Sequence, residues 1–292
     1  MVVNSDKISN EPREDSRSID DVEQLRKELI NCPEYASWDE ADQKLISQSN
    51  YVMKAFLETN LSSKRALQSA KKLFSWKLEN KINSLKAESF PKELHSITFV
   101  TLVPSNCGGT PTLILRLCFP SPPKYLLPLV YQYVSWSVEK MIKIIDVNHC
   151  KPRLIIDCAN SKIDLFIIKE IINILVFIYP PFIESLTFCN MDWKFKTIYT
   201  IIRTILPGFI RDLIAVSDHS VVNQLTTKTE DLPCYLGGSI YNCTYQEWVN
   251  CVSLKEFLEL KGFNDKQIDE SINYVTNVIN KFGNDAPVKA IH

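Results

Sequence analysis

Apolar residues recur with a helical period over residues 16–85 and change to short unbroken runs beyond Pro91, and this switch divides the chain. Asp20 and Asp21 stand where they cap a short helix running to Ile30. Ser37, with Glu40 three residues on, has the form of a capping box that opens a second helix. A third is expected from Ser62 and Ser63. In it Ala66, Ala70, Leu73, Phe74, Lys77 and Leu78 share one stripe, while Lys64, Arg65, Lys71, Lys72 and Glu79 face water. The pattern predicts a small helical lobe over 18–88, behind a polar segment, 1–17, that reads as disordered.

Past Pro91, residues 97–103 and 113–119 are β-rich runs around a loop that contains Gly108 and Gly109. An amphipathic helix over 126–145, a short strand over 153–158, a helix over 164–179 and a strand over 185–189 follow. A further helix covers 193–206, interrupted by Pro207 and Gly208, and a strand lies near 213–216. A polar helical stretch from Asp218 and the segment 232–239 close this region. Helices alternating with short apolar strands predict an α/β sheet with parallel members. The tail, 254–282, predicts two amphipathic helices around Gly262 and Asn264, with Ile268, Ile272, Val275, Ile279 and Phe282 on one stripe. The division that results is a lobe over 18–88, an α/β domain over 89–243 and a helical extension over 244–292.

Charge removes several function classes. The 33 Lys+Arg and 34 Asp+Glu leave a net charge of -1, so any attraction to nucleic acid or anionic lipid must come from a local patch. No basic stripe interleaved with exposed aromatics is present, and nucleic acid is not an expected partner. Glycine is scarce at 7 residues, and neither GxGxxG nor GxxxxGK[ST] occurs. The 9 cysteines are odd in number and form no CxxC, which reads as reduced thiols in the cytosol. Residues 171–183, the greasiest stretch, are broken by Asn173, Pro180 and Pro181 and are too short for a membrane span.

Catalytic chemistry finds little support. His95, His149, His219 and His292 lie far apart, without a metal-ligand spacing, so no metal is expected. There is no GxSxG elbow, and Asp157 and Asp192 have no nucleophile and base near them. Asp157 reads as a strand end that hydrogen-bonds nearby backbone. Lys71, Lys72 and the 140–143 cluster read as solvated helix faces. No cofactor signature is present, and the chain is not expected to be an enzyme.

Residues 154–238 carry an ordered set of features. An apolar strand ends in Asp157, a helix with Ile171 and Ile172 ends in Tyr179-Pro180, and a strand ends in Asn190. An aromatic-rich helix then leads into Ile205-Leu206-Pro207, and Leu232-Pro233-Cys234-Tyr235-Leu236-Gly237-Gly238 closes the set. This order resembles the CRAL-TRIO lipid-binding family, and Phe56-Leu57 followed by the helix with Trp76 is similar to that family's N-terminal lobe. Within the family the likeness is greatest to the CRAL-TRIO part of motile-sperm-domain-containing proteins.

The resemblance implies a mixed, mostly parallel sheet flanked by helices that enclose an apolar pocket, with a mobile helix over one lipid or small hydrophobic ligand. Alternation along the strands nominates Leu115, Leu117, Ile156, Cys158 and Phe188 as the floor. Phe195, Ile198, Ile202 and Phe209 are expected to line the lid. Trp193, Lys194, Lys196 and Arg203, with Pro207 and Gly208 as hinge, would meet a membrane when the lid opens. Spacing alone also allows an ordinary packed helix with a solvated face. The family's phosphatidylinositol-binding members carry a basic cluster where this chain has Glu58-Thr59-Asn60, an acidic residue at Pro181, and a Thr and a Lys at Ile210 and Leu213, so a different ligand is expected. The implied protein is a lipid carrier or sensor, cytoplasmic and peripheral at membranes, including endoplasmic reticulum contacts. Protein partners would dock on the C-terminal helices. The alternative is a non-catalytic interaction scaffold that keeps the fold without an open cavity.

Overall fold

The computed structural model describes residues 19–60, 62–103, 110–148, 151–159, 164–179, 184–205, 211–217, 220–225 and 231–282. Its lobe consists of α1 (Ile19–Ile30), α2 (Glu40–Gln48), α3 (Asn50–Thr59) and α4 (Ser63–Glu79). Leu25, Leu29, Ile46, Met53, Phe56 and Phe74 meet in its core. Ser62 caps α4 as expected, its side chain accepting from the Arg65 N–H, and the stripe from Ala66 to Lys77 is buried. The capping box at Ser37 does not form. A 3₁₀ turn over Tyr35–Ser37 directs the Ser37 hydroxyl to the Glu34 carbonyl, and α2 starts later, behind Asp39. Asp20 and Asp21 lie inside the first turn of α1, where carboxylates complement the exposed N–H groups. α3 was not expected as a separate helix, and Ser49 opens it by accepting from the Val52 N–H at 3.0 Å.

A single five-stranded sheet follows, in the order β1 (Val100–Val103), β2 (Thr112–Arg116), β3 (Arg153–Asp157), β4 (Ser185–Cys189), β5 (Ile214–Ser217). β1 runs antiparallel to β2, and all later pairings are parallel. Residue 97 does not belong to the first strand. It ends a short helix, α5 (Lys92–Ile97), and Thr98 turns the chain with φ 54° before β1 begins.

The crossovers are α6 (Leu127–Asn148), α7 (Leu165–Ile172) and α8 (Trp193–Ile205). α7 continues in wider π-helical turns over Asn173–Ile178. Strands that pair in chain order through crossovers of the usual hand carry all of those helices on one face. On that face Leu113, Leu115, Leu154, Ile156, Leu186 and Phe188 share a core with Tyr133 and Ile142 of α6 and Ile167 and Ile171 of α7. The opposite face carries Val103, Ile114, Ile155 and Cys189. Val221 of α9 (Val221–Gln224) covers it, together with Leu225 and Leu232.

A buried ion cluster joins lobe to sheet domain. Lys77 of α4 lies 2.5 Å from Asp42 of α2 and 3.0 Å from Glu139 of α6, with the lysine and Asp42 almost wholly buried. Asn83 donates to Asp42 at 2.6 Å, and the Tyr179 hydroxyl donates to Glu139 at 2.9 Å, so the carboxylate oxygens are all engaged. Burial pushes the Asp42 carboxyl upward, against the pull of Lys77. Lys140 corrects the solvated reading of the 140–143 cluster. Its ammonium donates to the Asn242 carbonyl at 2.6 Å and lies 4.0 Å from the centre of the Trp136 ring, while burial lowers it to about 8.

The tail forms α10 (Tyr245–Asn250), α11 (Leu254–Leu260) and α12 (Asp265–Phe282), and α10, behind a capping box of Thr244 and Glu247, was not expected. The apolar stripe of α12 turns inward. Ile268, Val275 and Val278 are buried, and Phe282 stacks edge-on to Phe119. That stripe packs on the chain's own α5 and core.

Candidate functional site

The strand register assembles the floor. Leu115 lies beside Ile156 and Ile156 beside Phe188, and all three side chains point to the helix-covered face. Leu117 and Cys158 extend the same rows, held by Leu117 N–H to Asp157 and Cys158 N–H to Cys189 carbonyl bonds of 2.9 and 3.0 Å. All five expected floor residues therefore share one apolar surface. The Cys158 thiol is driven far above its ordinary range by burial, which makes it a packing group and not a nucleophile. Asp157 accepts from the Ala159 N–H and from the Asn190 amide at 2.8 Å, tying the ends of β3 and β4.

α8 lies over this floor. The Tyr199 ring sits 5.1 Å from that of Phe188, edge to face. Tyr199 was missed in the sequence although it stands four residues beyond Phe195, on the same helical stripe. Val216 was also missed. It pairs with Phe188 across β4 and β5, so it continues the floor, yet it is 45% exposed, and the floor opens to solvent at this edge. Phe195, Ile198, Ile202 and Lys194 lie on α8, but their side chains are outside the described residues. Pro207, Gly208 and Phe209 are outside them altogether.

The outer side of α8 is mixed. Trp193 is 75% and Ile201 52% exposed, among exposed Lys196 and Arg203. Arg203 also borders a shallow cleft of about 400 Å³ with Thr200, Thr204, Arg211 and Asp212. A separate apolar cavity of about 60 Å³, walled by Leu94, Phe99, Phe119, Ile167 and Val275, lies under the C-terminal helices and is too small for a lipid.

Among the described residues no cluster of His, Cys, Asp or Glu could hold a metal ion, and no helix is long and apolar enough to cross a membrane. His95 is structural. Its ring bridges the Tyr133 hydroxyl and the Ala87 carbonyl, and burial lowers it to about 4.

An all-helical lobe packed on a mostly parallel sheet, with one face under crossover helices and an apolar floor, defines the class as a mixed α/β binding domain. Residues 101–238 match the family model described as the CRAL/TRIO domain, and this part of the chain is a CRAL/TRIO domain. Such a domain serves the binding or transfer of a lipid or other small hydrophobic ligand. The crystal structure of Sfh5 is similar to the chain at 14% identity and a TM-score of 0.47, over 68% of this chain and 81% of that one. No curated protein matches it.

Proposed function

We propose that the chain holds one lipid or small hydrophobic molecule between the floor of Leu115, Leu117, Ile156, Cys158 and Phe188 and the inner face of α8. In this reading α8 is the gate, and its outer face meets a membrane as the ligand passes. The observation that carries this is that α8 presents apolar groups on both sides. Tyr199 faces the floor, and Trp193 and Ile201 face outward among Lys196 and Arg203. A solvated helix face has no reason to expose a tryptophan, whereas a membrane interface accepts indole at the headgroup level and basic side chains beside anionic lipid. Each methylene moved from bilayer to an apolar wall keeps about 0.8 kcal/mol that water would forfeit.

Glu58 supports a ligand other than phosphatidylinositol. It occupies the expected place of a headgroup-binding cation and forms an ion pair with Lys151 at 3.6 Å. The work proposed for the chain is non-catalytic and takes place at a membrane surface facing the cytosol.

The Tyr199–Phe188 contact favours a second reading, in which the lid has settled on the floor and the fold acts as a scaffold. Native mass spectrometry after incubation with mixed-lipid vesicles separates the two. The carrier retains a hydrophobic mass that Ile202→Trp removes without unfolding. A chain that emerges ligand-free after every incubation is the scaffold.

A further inference from the structure

The floor and lid make no use of a second concavity on the far side of α6. It is a cleft of about 390 Å³ between the helical lobe and α6, within the size range of small-molecule sites. Lys44 of α2 lines one wall, and Lys140 and Lys143 of α6 line the other. Its remaining walls include Trp136 and Ile142.

The charges of this cleft do not cancel. Asp42 and Glu139 lie at its base, but both are held by Lys77, with Asn83 and Tyr179 taking further oxygens. Lys44, Lys140 and Lys143 form no ion pair among the described residues. Glu247, the carboxylate that acts on Lys140 from outside the cleft, accepts from the Thr244 N–H in its capping box. The Lys140 ammonium is turned to the Asn242 carbonyl and the Trp136 ring, which leaves Lys44 on one wall and Lys143 on the other as the exposed cations open to an anion. Burial lowers Lys140 to about 8, and the charge of Glu247 offsets only part of that cost.

We propose that this cleft is a binding site for a small anion of the phosphate-ester class, held by Lys44 and Lys143 against the Trp136 wall, with the buried Lys140 adding positive potential from behind. The donor set selects phosphate. Lysines act as point charges that suit a tetrahedral dianion, and the cleft has no arginine fork to match a planar carboxylate. The carbon skeleton of the ester rests on Trp136 and Ile142. The ester can be free in solution or be the exposed headgroup of a phospholipid. The site stands independently of the lid, since it shares no residue with floor or gate.

Isothermal titration at low salt with inorganic phosphate and with glycerol 3-phosphate tests the site, beside retention on phosphatidylcholine vesicles with and without phosphatidic acid. The exposed pair is changed in Lys44→Ala/Lys143→Ala, and Lys64→Ala/Arg65→Ala on the exposed side of α4 supplies the same charge change elsewhere. A free-ester site gives glycerol 3-phosphate binding that weakens at least about tenfold in the first variant only. The indole signal of Trp136 then shifts on titration. A headgroup site gives no heat with the soluble probes but phosphatidic-acid-dependent retention that the first variant alone loses. Absence of binding to every probe, or equal losses in both variants, overturns the proposal.

Discussion

α8 and α12 are written in the same pattern, an apolar stripe on an otherwise polar helix, yet the molecule uses them in opposite ways. α12 is fastened along its length. Ile268, Val275 and Val278 are buried, Tyr274 donates to the Pro120 carbonyl at 2.7 Å, and the Tyr125 hydroxyl donates to the Gln267 carbonyl. α8 rests on its sheet through Tyr199 while Trp193 and Ile201 face outward. Amphipathicity shows that a helix has an apolar side, but not whether that side is covered for good. Among the described residues the difference lies in the polar fasteners of α12, contributed by residues far away in the chain.

The comparison breaks most sharply at Val278. Placing a carboxylate on this fully covered position, Val278→Asp, buries a charge without a partner and is expected to cost about 4 kcal/mol in urea unfolding. A loss under 1 kcal/mol would show that α12 is no better fastened than α8.

Next comes His95, which lies beneath the C-terminal extension, where the Ala87 carbonyl it bonds also receives the Cys251 thiol. Its folded value near 4 lies below its ordinary 6.5, so the neutral ring is the one the fold holds. The stability linked to it is complete above pH 6.5 and falls away as pH drops toward 4, by about 3 kcal/mol in all. Stability curves of the parent chain and His95→Gln check this. The slope over that window should flatten in the variant.

Tyr274→Phe removes one fastener and leaves the ring, for a loss of about 1 kcal/mol measured by the same unfolding. The smallest stability effect is expected at α8. Trp193→Ala should stay within about 0.5 kcal/mol of the parent, as exposed substitutions do. It should nonetheless cut co-sedimentation with anionic vesicles. Unchanged sedimentation would take the membrane role away from this helix.

How much of this was legible depended on the range of the interactions. The strand at 185–189 was read to the residue because its neighbours punctuate it. The covered face of the sheet was legible because alternation and parallel register agree at Leu115, Ile156 and Phe188. The run from Ile97 misled because a short helix and a strand share it, separated only by the left-handed turn at Thr98. Lys77 was placed on its stripe, but nothing local marks a lysine whose partner Glu139 is 62 residues away. Lys140 was read as solvated because its acceptor, Asn242, is 102 residues distant. Period shows which side of an element is covered, and it is blind to charges that meet only after the chain has folded.

The Lys77 cluster bears on how the chain comes apart. The cluster sits on a seam where the Trp76 ring packs on Tyr179 and one apolar core runs through both halves, so opening it would expose that core to water and neither half gains by leaving first. The two therefore melt as one cooperative unit, and a fragment that starts at the sheet should be found misfolded or digested, never as a free-standing module.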